Sequence, residues 1–151
     1  MIRAALSVVT AALLLCAAPA EARFRINRSM EGVQLGMSRG EVRALKGSPA
    51  DHALGPDFVT WTYRRPRMQV TFKPRAVTLS TSSRRIRGPG DIGVGTSERR
   101  LKRVIERPVR CRTLAGPDFC SVGSLDTGRR YTLFWLSAGR VESIDIGIST
   151  P

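Results

Sequence analysis

Few residues in this 151-residue chain are placed to do covalent chemistry. The single histidine, His52, follows Asp51 in a stretch that reads as a surface loop, and no nucleophile pairs with it in sequence. A Ser-His-Asp triad is defined by geometry, and no Gly-x-Ser-x-Gly elbow occurs. The 12 acidic residues are scattered, so a hydrolase working through two carboxylates has no evident pair. Gly93-Val94-Gly95-Thr96-Ser97 precedes a helical pattern, where a phosphate cradle is possible. No Gly-Lys-Ser/Thr follows, and the glycines are read as serving a tight approach to the helix. The residues therefore point to a non-enzymatic protein with no cofactor.

The thiols carry the remaining chemistry. Arg3, the uncharged apolar stretch at 4–18 and the small residues of Ala20-Glu21-Ala22 read as a secretory signal peptide spanning 1–22. A membrane anchor needs about 20 apolar residues; this run is shorter and meets Pro19. Cys16 offers a lipid attachment point, although Leu15, not a small residue, stands before it. Processing leaves Cys111 and Cys120 and no transmembrane span. In an exported chain two cysteines are read as one disulfide, and closing a loop of about ten residues stabilises by roughly 2.7 kcal/mol. A zinc site would need tighter spacing and further ligands. The expected location is secreted or periplasmic, in the cell envelope.

The net charge is +13, and 22 of the 25 basic residues are arginines. One reading is coding bias and a solvated surface. The other is that guanidinium forks, which match phosphate and carboxylate, meet an anionic envelope component. The arginines concentrate in turns: Arg64, Arg65 and Arg67, then Lys73 and Arg75, then Arg84, Arg85 and Arg87. These eight are the candidate partner-binding residues. Export and the lack of a nucleic-acid-binding module argue against nucleic acid. Arg99, Arg103 and Arg107 lie opposite Leu101, Val104 and Ile105 on a short helix, read as core packing with a solvated basic face.

The elements that must position these residues show in a repeated block. Residues 33–49 align without a gap on 92–108, and Gly-Pro-Asp-Phe follows each, at 55–58 and 116–119. Ser38 and Glu41 form a capping box. Val42 and Leu45 give an apolar stripe, expected to be buried in register with Leu101 and Val104, and Gly47-Ser48-Pro49 ends the helix. Strand alternation follows over 59–63, 68–73 and 77–81, and again over 119–122, 131–136 and 141–148. The expected fold is α+β: a tandem repeat of a helix followed by three antiparallel strands, with the helices packed on one face of a shared sheet. The divisions are a first repeat at 23–83, a connector at 84–90 and a second, disulfide-containing repeat at 91–151.

The motif Val-x-Leu-Gly-Met-Ser-x-x-Glu-Val-x-x-Leu-x-Gly-x-Pro at 33–49 resembles the helix-opening motif of the SmpA/OmlA family of small bacterial envelope lipoproteins. Two such units, the second with a cysteine pair, are also similar to the secreted β-lactamase inhibitor proteins. The resemblance implies helices backing a curved sheet whose free face binds another protein. The expected function is an exported binding module of the bacterial envelope, acting through the sheet face or the basic turns on an envelope or secreted protein. The alternative is a structural or adhesion protein that holds anionic cell-surface polymers or lipid headgroups.

Overall fold

The computed structural model describes residues 23–113 and 117–151. The signal segment and Cys16 lie outside these residues. Three two-residue strands, β1 (Phe24–Arg25), β2 (Ser29–Met30) and β3 (Val33–Gln34), form a small antiparallel sheet. Helix α1 (Arg39–Lys46) leads into β4 (Asp51–Leu54), β5 (Val59–Arg64), β6 (Arg67–Lys73) and β7 (Arg75–Thr81). After a short 3-10 turn at Pro89–Asp91 comes helix α2 (Glu98–Val104). Then follow β8 (Arg110–Arg112), β9 (Asp118–Gly123), β10 (Arg130–Ser137) and β11 (Arg140–Ile148).

The last eight strands make one antiparallel sheet in the order β4-β5-β6-β7-β11-β10-β9-β8. Two meanders thus meet at β7 and β11, where Ile144 faces Thr81 and Ile146 faces Leu79. Alternation sends one set of side chains into the core: Trp61, Tyr63, Met68, Val70, Phe72 and Leu79 from the first meander, then Cys120, Val122, Phe134, Ile144 and Ile146. The helices and the small sheet cover this face. Arg43 lies 5.3 Å from the Trp61 ring and Arg39 5.9 Å from that of Phe72, while Phe24 packs 6.4 Å from Phe134. Each fully buried phenylalanine contributes about 1.5–3 kcal/mol through removal from water.

Both helices start where the capping residues require. Ser38 accepts from the Glu41 amide, and the Glu41 carboxylate accepts from the Ser38 amide at 2.7 Å. That carboxylate is held below the usual glutamate range, first by the Ser38 hydroxyl and then by the Ser38 backbone. Ser97 caps α2 through the Arg100 amide. The loops before the caps are anchored alike. Gly36 and Gly95 take φ of +92° and +93°, a region open to glycine without a Cβ clash. The Gly36 amide donates to Ala76 and the Gly95 amide to Val141, each at 2.7 Å. Arg75 and Arg140 donate to the Gly36 and Gly95 carbonyls at 3.0 and 3.1 Å.

This local parallel does not make the chain the tandem α+β protein expected from sequence. The fold is mostly β, with α-helices of only eight and seven residues among the described residues. The unit of one helix and three strands is wrong. β4 and β8 precede the strands marked by alternation, and a second sheet, β1–β3, helps to close the core. β4 carries no alternation in sequence because all four of its residues are exposed at a sheet edge, where burial imposes none. His52 belongs to this strand, opposite Trp61, and not to a loop. Val42 and Leu101 are fully buried and Val104 is half-buried, but Leu45 is 51% exposed. Its side chain lies against Gly32 near the surface. An eight-residue helix over one end of a sheet buries only a narrow stripe.

Candidate functional site: the open face of the eight-stranded sheet

The register places the remaining strand residues on the face that no helix covers. One row across the sheet runs Thr60, Thr71, Thr78, Gly147 and Tyr131. The next runs Thr62, Gln69, Ser80, Asp145, Leu133 and Ser121. A third joins Ser143, Trp135 and Phe119. The first meander therefore offers hydroxyls and an amide, and the second offers the half-buried Trp135 and Tyr131 rings, with Phe119 and Leu133 buried beside them. Asp145 lies between them. The molecule carries +13, and the bases on this face stand at its borders: Arg110 and Arg112 of β8 lie opposite Ser121 and Phe119, and Arg64 pairs with Arg67 beyond Thr62 and Gln69.

The aromatic half is fixed by specific contacts. Trp135 Nε1 donates to Asp145 Oδ2 at 2.6 Å, and its ring packs 5.6 Å from Phe119. Tyr131 lies across Gly147, where a Cβ would come within 2.4 Å of the phenol oxygen. Only glycine leaves the ring room to lie flat. Burial pushes the Tyr131 phenol above its ordinary value; a hydrogen bond with Thr78 partly offsets this, and Asp145 adds to it. Thr60 and Thr71 share a hydrogen bond of 3.0 Å. A depression of about 310 Å³ opens where the halves meet, lined by Thr62, Arg67, Gln69, Ser80, Ser143 and Asp145.

The eight basic residues singled out in the sequence are divided by the fold. Arg67 opens β6 beside the end of β7, and Thr81 Oγ1 donates to the Arg67 carbonyl at 2.6 Å. Arg64, Arg65 and Arg67 thus share one end of the sheet with the stretch carrying Arg84 and Arg85. Lys73 and Arg75 sit at the opposite end, where Lys73 pairs with Asp57 at 2.7 Å and Arg75 holds Gly36. Arg87 donates to the Val94 carbonyl and lies 3.9 Å from Asp91.

Cys111 and Cys120 are joined as a disulfide between directly opposed residues of β8 and β9. Glu98 lies within 4.8 Å of both sulfurs, but sulfurs bonded to each other offer no thiolate to a metal. Among the described residues no helix is long and apolar enough to cross a membrane.

Sequence reasoning did not single out Trp135, Asp145, Tyr131 or Phe119. The available signal was the outward set of positions in the last three strands, aromatic where the first three have threonine and serine. Their convergence depends on strand register, which the sequence does not display.

No family model matches the chain, and no curated protein matches it. Similar solved structures include an extracellular protein containing an SCP domain from Bacillus anthracis, with a TM-score of 0.56 at 8% identity. A cysteine-rich secretory protein from Staphylococcus aureus gives 0.52 at 11% identity. Each match covers 76% of this chain but only 44% of the other, so this chain spans less than half of those proteins. A DUF4309 family protein from Bacillus subtilis gives 0.51 at 14% identity, covering 84% of this chain and 88% of that one. At such identities the likeness is one of fold.

Proposed function

We propose that this is an exported, non-enzymatic binding protein of the bacterial envelope that captures another protein on the open face of its eight-stranded sheet. The observation that carries the reading is the composition of that face. In a chain with 25 basic residues, its middle sets out Trp135, Tyr131 and Asp145 beside a field of hydroxyls, with Arg64, Arg67, Arg110 and Arg112 confined to the borders. Tryptophan and tyrosine dominate the energetics of protein interfaces, and here they are pinned before any partner arrives, which lowers the ordering cost of binding. The disulfide fits an oxidising compartment, and two proteins of similar fold are an extracellular and a secretory protein. The resemblance of residues 33–49 to the SmpA/OmlA motif points to the same setting.

Co-precipitation from envelope extract at low and moderate salt tests this. A partner held through the face stays bound at moderate salt and is lost from Trp135→Ala. Reversal of the exposed turn residues Arg65 and Arg85 to glutamate leaves it bound. The opposite pattern, with retention by Trp135→Ala, salt-sensitive loss and release by the arginine reversal, would replace this reading with capture of anionic envelope material.

A further inference from the structure

A second cleft lies away from the open face, where the loop before α2 meets the turn between β10 and β11. It has a volume of about 520 Å³ and is lined by Arg84, Arg87, Arg100 and Arg140 together with Asp91 and the 94–97 backbone. We propose that this cleft is a binding site for a phosphate group.

Three of the four guanidinium groups are held in place by backbone carbonyls. Arg87 donates to Val94 at 3.3 Å, Arg100 to Gly90 at 3.2 Å and Arg140 to Gly95 at 3.1 Å. Each bond uses one of the five N–H donors of an arginine, so each group is oriented and still has donors to offer. Of the lining residues only Asp91 is acidic; its side chain is 75% exposed and it stands 3.9 Å from Arg87. Glu98, one residue beyond the lining, is engaged by Lys102 at 2.6 Å. Four like charges around one cleft repel one another unless an anion joins them. Planar forks suit a multi-oxygen anion better than a point halide.

The counterpart loop shows what is absent. There Arg75 holds Gly36 as Arg140 holds Gly95, and Ser38 caps as Ser97 does. The residue whose amide meets the cap is Glu41 in the first loop and Arg100 in the second. The first loop therefore carries its own carboxylate. The second has an arginine in the same place, which leaves Asp91, largely exposed, as the one carboxylate lining its cleft.

The test is titration of the full secreted chain with inorganic phosphate, at ionic strength held constant with chloride, followed by the arginine Nε–H resonances. Saturable binding is expected, weakened about tenfold or more by Arg100→Gln, on the scale of a lost charge-assisted hydrogen bond. Arg84→Gln gives the same direction without threat to the fold, since Arg84 makes no side-chain hydrogen bond among the described residues. Arg75→Gln leaves binding unchanged. Vesicles of phosphatidylglycerol against phosphatidylcholine separate the sources: binding to the former alone, lost in Arg100→Gln, identifies a lipid headgroup, and binding to neither identifies a soluble phosphate. Phosphate no better than chloride, or equal weakening by Arg75→Gln, overturns the proposal. Neither result touches the open-face reading, which uses other residues.

Discussion

The bond between Trp135 and Asp145 makes the most exacting structural prediction. At 2.6 Å it is a short contact between an indole N–H and a carboxylate. Both residues are half-buried. A hydrogen bond to a charged group contributes about 1.5–3 kcal/mol net, and partial exposure places this one at the low end, near 1.5 kcal/mol. Trp135→Phe keeps a ring against Phe119 and removes the donor; Asp145→Ala removes the acceptor. In a double-mutant cycle the two losses should exceed the loss in the double variant by about 1–1.5 kcal/mol. Urea unfolding followed by far-ultraviolet circular dichroism reads this without depending on tryptophan emission. With a denaturant slope of about 1–3 kcal/mol per molar, the non-additive part is a midpoint shift on the order of 0.5–1 M. Additivity within about 0.3 kcal/mol would mean that the bond does not hold the ring, and the preorganised face would lose its main support.

Leu101→Ala should destabilise by about 3 kcal/mol, because Leu101 is fully buried and leaves a cavity, whereas Leu45→Ala should cost under about 1 kcal/mol; thermal melts of the two variants compare them directly. Reduction of Cys111–Cys120 should lower stability by roughly 2.7 kcal/mol on the loop-entropy model, measured as denaturation with and without reductant. Burial pushes both tyrosines, Tyr63 and Tyr131, above the ordinary phenol value of 10.0. A raised folded value favours the protonated form, so this stability is present below pH 10 and is lost as pH rises through the folded values. Phenolate absorbance should therefore rise later in the folded than in the unfolded chain, and Tyr131→Phe should remove part of the alkaline loss.

Strands whose two faces differ were legible in the sequence. β5, β6, β10 and β11 alternate because one face packs on the core and the other meets water, and Ile144 and Ile146 mark the buried side of β11. The Ser38 cap was legible because capping is local chemistry, and so was the pairing of Cys111 with Cys120 once export is assumed. β4 was not, since its Asp-His-Ala-Leu run lies at an exposed edge. β8, three residues of Arg-Cys-Arg, is fixed by its pairing to β9 more than by any pattern of its own. Missing those strands turned a mostly β protein into an expected α+β one. Leu45 looked like core because helical spacing cannot tell how wide a stripe the sheet will cover. Asp145 looked like one more solvated carboxylate. Its partner is ten residues away in sequence and becomes adjacent only through the β10–β11 register.

Site-specific photo-crosslinking tests the central claim most directly. A photoreactive amino acid at Gln69, exposed on the open face, is compared with the same group at Ala44, exposed on α1 behind the sheet. After irradiation in envelope extract at moderate salt, the open-face account predicts a discrete protein adduct from position 69, absent from position 44 and lost when Trp135→Ala is added. An adduct from position 44 but not 69, or one from position 69 that survives Trp135→Ala undiminished, would contradict it.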